Sequence, residues 1–233
     1  MPQSTVDPRW SKVLSLAVHE FRTPMTVVSG YIRMLLKERA GPLNEQQRKL
    51  LEEAEKSCGR LSSLIAEVSE LSGLEAGTAT FNRLEIDLRA TITEVISALP
   101  EIPDRPISID LALQPGPAMI KGDSTRLRSA LTSVLVALRR ELVTSSRLVV
   151  LETLRPLDGA PASWLAIADP DRIAALADAD LSALTTFDEW RGGCGMTLAV
   201  ARRVLEAHCG RIWSPATDAK AGAVIALPHL RKP

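Results

Sequence analysis

Between Leu14 and Leu35, apolar residues recur at alternating steps of four and three: Leu14, Val18, Phe21, Met25, Val28, Ile32 and Leu35. On an α-helix this repeat lines up an apolar stripe that water cannot satisfy, so the helix demands a partner. Gly41-Pro42-Leu43-Asn44 supplies a turn, and Asn44 is placed to cap a second helix. That helix carries Leu50, Leu51, Ala54, Cys58, Leu61, Leu64, Ile65, Val68 and Leu71, a stripe wider than one partner helix covers. A lone hairpin would leave part of it in water. Two copies packed as a four-helix bundle bury it, which predicts a homodimer. The helical period breaks over Gly73 to Phe81 (GLEAGTATF), closing a first domain at residues 10–77.

Beyond the break the grammar changes, and the chain reads as α+β. Short β-type runs near 84–88, 107–111, 118–120, 147–154 and 164–168 alternate with helical stretches at 88–99 and 123–143. A helix near 196–208 and strands near 211–213 and 223–227 complete a second domain over 80–230. A mixed sheet with helices packed on one face is expected. Apolar residues make up 45% of the 233, but aromatics only 3%, so aliphatic side chains must fill both cores.

The formal net charge of zero argues against a nucleic-acid binder or a polybasic membrane module. No apolar run approaches the roughly 18 residues of a membrane span, and MPQSTVDPRW lacks the form of a signal peptide. Cys58, Cys194 and Cys209 are too scattered for a disulfide framework or a zinc site, so no metal ligands are assigned. The chain reads as cytoplasmic.

The first helix also holds Ala17-Val18-His19-Glu20-Phe21-Arg22-Thr23-Pro24-Met25. A neutral imidazole is nucleophilic near pH 7, and Glu20 beside it can take the ring proton as a general base. Thr23 lies one turn on from Glu20, placed to orient a water. Pro24 cannot donate to the Glu20 carbonyl and crowds it, which loosens the helix next to His19 at a cost of about 3 kcal/mol or more. His19 sits one place off the stripe and should meet solvent. The segment resembles the phosphoacceptor box of sensor histidine kinases, His-Glu-x-x-Thr-Pro. The resemblance implies that His19 carries a phosphoryl group and Glu20 assists as base. It further implies that Thr23 positions water for dephosphorylation and that Arg22 screens the phosphate.

The second half is similar to the same family. Gly122-Asp123-Ser124-Thr125-Arg126-Leu127 resembles the segment leading into the nucleotide helix. Phe187-Asp188-Glu189-Trp190 and Gly193-Cys194-Gly195-Met196-Thr197-Leu198 resemble the phenylalanine box and the second glycine box. Val204 to Trp213 (VLEAHCGRIW) resembles the closing helix and strand, with His208 structural. The implied fold is a dimerisation and phosphotransfer hairpin followed by an α/β sandwich of the histidine kinase ATPase type. The implied cofactor is ATP with Mg, with Asp169 reading the adenine amino group and Gly193 and Gly195 opening a helix whose N–H groups can hold phosphate. A plain loop-to-helix turn explains the two glycines equally well.

Several positions depart from that pattern. The asparagine that holds magnesium in the family falls on Ala137, and its companion on Ser133. Both glycines of the first box are missing from Asp169-Pro170-Asp171-Arg172-Ile173, and Thr197 replaces a third glycine. The lid region, 173–186, is Ala/Asp/Leu-rich and reads as a short helix. A methyl group cannot ligate a hard cation. Mg-ATP binding is therefore expected to weaken by several kcal/mol, at about 1.4 per tenfold, leaving a pseudokinase-like domain.

The leading expectation is a two-component phosphotransfer protein whose His19 exchanges phosphate with the aspartate of a response-regulator receiver domain. Barely ten residues precede the first helix, so the input comes from a separate sensor or kinase, or from a part of a longer chain. Two alternatives stay open: an ATP-dependent autophosphorylating kinase, and a non-enzymatic dimeric adaptor that binds a receiver or a kinase.

Overall fold

The structure, a computed structural model, describes residues 8–102, 105–143, 145–216 and 222–230. The chain divides into two compact units, 1–79 and 80–233.

The first unit is a helical hairpin of α1 (Pro8–Leu36) and α2 (Glu45–Glu75). The turn between them closes as the sequence predicts. Gln47 N–H donates to the Asn44 side chain at 2.8 Å and the Asn44 N–H donates to Gln47 Oε1 at 2.9 Å, a reciprocal capping box. Glu38 and Gly41 turn the chain with positive φ, 56° and 121°. Arg48 Nη2 holds Glu38 at 2.5 Å. Val18 and Ile32 of α1 and Cys58 of α2 are buried in the seam, flanked by half-buried Leu14, Met25, Leu35, Ala54, Ile65 and Val68. Phe21 and Val28, which the heptad put in the same seam, are instead exposed, Phe21 by 60%. Leu50, Leu61 and Leu64 are exposed too. The stripe is broad enough for two partners, and the hairpin covers one side of it.

The second unit is built on a six-stranded mixed sheet. Its strands are β2 (Ser108–Ala112), β4 (Arg147–Leu157), β5 (Ala160–Ala168), β6 (Leu184–Thr186), β7 (Arg211–Pro215) and β8 (Ala223–Pro228). The spatial order is β2-β4-β5-β8-β7-β6, with β2 parallel to β4 and every other pair antiparallel. A separate ribbon pairs β1 (Leu84–Asp87) with β3 (Met119–Gly122). The helices are α3 (Leu88–Ser97), α4 (Ser124–Glu141), α5 (Ile173–Ala177) and α6 (Thr197–Ala207).

Strand alternation assigns the faces. Glu152 of β4 points to α3, whose Arg89 Nε reaches it at 2.7 Å. Leu151 and β5 residues Ala162, Trp164, Ala166 and Ala168 point the other way, where Leu176 and Ala177 of α5 cover them. The helices therefore do not all lie on one face as expected; the short α5 sits opposite α3. Trp164 is buried in this second layer and stacks on Trp213, ring centres 5.1 Å apart and planes 5° from parallel.

One local expectation changes. The 173–186 stretch is helical only at α5; a 3-10 turn at Leu181–Ala183 and strand β6 follow. Leu184-Thr185-Thr186 becomes a strand because β7 offers an open edge, a tertiary pairing that local propensity does not encode. On α4, Arg139 is buried and its Nη1 donates to the Pro100 carbonyl at 2.9 Å.

Candidate functional site

His19 and Glu20 project from the middle of α1, their side chains 78% and 73% exposed. Their placement one position off the buried stripe follows from the helical period. The nearest approach, His19 Nδ1 to Glu20 Oε1, is 3.8 Å, outside hydrogen-bond range. Glu20 thus lies on the Nδ1 side, where it can hold or accept that proton while Nε2 keeps its lone pair. Pro24 lies inside α1, so one intrahelical donor is missing beside the pair. Thr26 Oγ1 donates to the Arg22 carbonyl at 2.9 Å across this weakened turn. Arg22 and Thr23 are exposed on the same helix, and Arg22 borders a cleft of about 250 Å³ with Met25, Thr26, Ser62, Ile65 and Ala66. The hairpin gathers all four candidate residues on one exposed stretch of α1.

In the second unit Asp169 directly follows β5 and is only 7% exposed. Its Oδ1 accepts the N–H groups of Asp171 and Arg172, each at 3.1 Å. Its Oδ2 accepts Arg172 Nε at 2.6 Å and also meets Arg172 Nη2. Burial pushes the carboxyl upward, but the Arg172 guanidinium and these N–H donors outweigh it and hold the group below the usual aspartate range. Asp171 is exposed.

Gly193 and Gly195 take φ of +60° and +61° on either side of Cys194, just before α6. No atom lies within 4 Å of a Cβ built on Gly193, so its glycine is a matter of backbone conformation. This turn is anchored to the end of α4. Arg191 Nε donates to both Glu141 oxygens at 2.9 and 3.0 Å, and its Nη1 reaches the Gly222 carbonyl at 2.9 Å. Ala137 is buried in α4, 1% exposed, and Ser133 Oγ is spent on the Ser129 carbonyl at 3.0 Å.

The set does not fit Mg-ATP. The carboxylate expected to read adenine is occupied by its own chain, and the position expected to hold magnesium is a buried methyl. Among the described residues no group of His, Cys, Asp or Glu is arranged to hold a metal ion.

The segment entering α4 has a structural explanation. Asp123 caps that helix through the Arg126 N–H at 3.1 Å and accepts the Asn82 N–H at 2.9 Å. The Asp123 N–H donates to His208 Nε2 at 2.9 Å, so the ring proton sits on Nδ1, 2.7 Å from the Val204 carbonyl. A Cβ on Gly122 would meet Leu127 at 2.7 Å and His208 at 2.8 Å.

Sequence reasoning missed Arg172 and the pairing of Arg191 with Glu141. The first carried a signal, an arginine three residues after an acid in a turn. The second carried none, since its members are fifty positions apart.

Residues 9–77 match the family model described as the His Kinase A (phospho-acceptor) domain. Over 205 residues the chain is 29% identical to the circadian input-output histidine kinase CikA of Synechococcus elongatus, covering 85% of this chain and 27% of that protein. Over 126 residues it is 32% identical to the signal transduction histidine-protein kinase BarA of Escherichia coli, covering 53% of this chain and 13% of that one. The chain thus spans about a quarter or less of these curated relatives. Among solved structures, full-length ShkA in complex with AMPPNP matches with a TM-score of 0.66 at 23% identity, over 94% of this chain and 46% of that one. The Acinetobacter baumannii histidine kinase AdeS matches at 0.54 and 17% identity, over 91% and 98%. Among the described residues no helix is long and apolar enough to cross a membrane.

Proposed function

We propose, from the premise that this chain belongs to the histidine kinases and carries their phosphoacceptor domain, that it is a two-component phosphotransfer protein working through His19. The exposed His19–Glu20 pair beside Pro24 on α1 carries this reading. Nε2 attacks the phosphorus of a donor and forms the N–P bond as the bond to the leaving group breaks. The Nδ1 proton passes to Glu20, which leaves the phosphorylated ring neutral instead of positively charged. Transfer onward moves the phosphoryl group from Nε2 to the aspartate carboxylate of a receiver domain, and Glu20 returns the proton. Arg22 screens the phosphoryl charge and Thr23 orients water for its hydrolysis. The exposed Phe21, Val28, Leu61 and Leu64 support a dimeric four-helix bundle, in which a second copy covers the open side of the stripe.

The donor lies outside the chain in this reading. Asp169 is engaged by Arg172 and Ala137 offers no ligand, so the second domain acts as a folded partner of the hairpin and not as its ATP source. A second reading, autophosphorylation from ATP, is favoured by kinship with histidine kinases and by the AMPPNP bound in the ShkA structure.

The test supplies phosphoramidate, a small phosphoryl donor, and separately Mg-ATP, to the purified chain and to His19→Gln. The expected result is acid-labile phosphate from phosphoramidate only, absent in His19→Gln and chased onto added receiver domains. Label from Mg-ATP on the native chain, lost in His19→Gln, would establish the second reading instead. No label from either donor would leave the adaptor function.

A further inference from the structure

We infer that Arg172 is an internal ligand of Asp169, and that its guanidinium closes the second domain to adenine nucleotides. The inference deepens the reading above, in which this domain supplies no phosphate. A carboxylate offers about four lone-pair directions. All four at Asp169 are taken: two by the N–H groups of Asp171 and Arg172 on Oδ1, and two by Nε and Nη2 of Arg172 on Oδ2. An adenine amino group is a neutral donor. To bond Asp169 it would have to displace a charged donor holding the same oxygen through two N–H groups, and charge-assisted bonds are about twice as strong as neutral ones. The exchange would also strand a guanidinium that is two-thirds withdrawn from water, its side chain 35% exposed.

The ion pair is local, and that makes it persistent. Arg172 lies three residues after Asp169 and heads α5, while the Asp169 carbonyl accepts the N–H groups of Arg172 and Ile173 at 3.2 and 3.1 Å. Backbone and side chain thus close the same turn. No distant element has to move into place for the guanidinium to find the carboxylate, so its effective concentration there is high. Arg172 is a specificity-determining residue whose effect is exclusion.

The test is a calorimetric titration of the full chain with ADP and, in parallel, GDP, with EDTA present so that the missing magnesium ligand plays no part. Arg172→Gly removes the plug; Arg172→Met removes the guanidinium but keeps the aliphatic stem, which guards against a loosened turn. Near-ultraviolet circular dichroism of the Trp164–Trp213 stack reports whether each variant is folded. The native chain is expected to bind ADP with Kd above about 1 mM, and both variants about tenfold or more tightly. GDP should gain nothing, because guanine offers an acceptor where adenine offers a donor. Asp169→Asn added to Arg172→Met should abolish the gain. Native binding as tight as that of the variants, equal gains for ADP and GDP, or no gain in a folded Arg172→Met would each overturn the inference. None of these readouts involves His19, so failure here leaves the phosphoramidate result standing, and the reverse also holds.

Discussion

Arg89→Met tests how much of the second domain depends on one buried ion pair. Glu152 is fully buried, and its carboxylate receives Arg89 Nε at 2.7 Å, Arg89 Nη2 at 3.0 Å, the Gln114 N–H at 2.9 Å and the Ser163 hydroxyl. Arg89 Nη1 also serves the Pro115 and Gly116 carbonyls at 3.0 and 2.7 Å. Methionine fills the volume of the stem but removes two of these four donors and, among the described residues, the charge paired with Glu152. Breaking a buried pair from one side costs about 3–5 kcal/mol. At about 2–4 °C per kcal/mol for a domain of this size, the midpoint should fall by roughly 6–20 °C. The melt is followed by near-ultraviolet circular dichroism of the Trp164–Trp213 stack, which belongs to this domain alone. Adding Glu152→Leu should recover part of the loss, since no charge is then stranded. Recovery stays incomplete because the Gln114 N–H and the Ser163 hydroxyl lose their acceptor, at about 1–3 kcal/mol for an unsatisfied buried group. A single-variant drop under about 2 °C, or a double variant as unstable as the sum of its parts, would refute the argument.

The remaining expectations are simpler. Burial drives the pKa of His208 and of His229 below the ordinary histidine value of 6.5, so the unfolded chain binds protons that the folded domain refuses. Stability is then full above about pH 6.5 and declines below it, which melting midpoints across pH 5–8 will record. Gly122→Ala should destabilise by about 1–3 kcal/mol, because its methyl would press on Leu127 and His208, and denaturant titration reads this directly. Phe21→Glu with Leu61→Glu places charge on the open stripe of the hairpin; sedimentation should show monomer where the native chain shows dimer.

Legibility in the sequence followed the range of the interactions. The Asn44 cap, the hairpin and the solvent exposure of His19 could be read because each depends on residues a few positions away. The strands of the sheet could be placed by alternation, but not β6, three residues long and dependent on an edge supplied by β7. Glu152 stands where alternation calls for an apolar residue, and its explanation, Arg89, is 63 positions away. The candidate residues around Asp169 and the two glycines came from resemblance. What that resemblance could not supply was the Arg172 ion pair, since it depends on which rotamer an arginine adopts in one turn. Phe21 and Val28 were legible as apolar but not as outward-facing, because a sequence does not say how many partners share one stripe.

The place of β8 has a consequence for synthesis. It lies between β5 and β7, yet it is the last strand of the domain to be made. From Ala168 at the end of β5 to Pro228 at the end of β8 the ribosome must add about sixty residues, which takes roughly 3–12 s at about 5–20 residues per second. For that interval one edge of β5, with Leu165 and Ile167 along it, has no neighbour to pair with. An unpaired apolar edge is a template for other nascent chains. The hairpin needs no such wait, because α1 and α2 are complete before the first strand emerges. Crowded expression should therefore yield aggregates in which the hairpin is folded and the sheet is not.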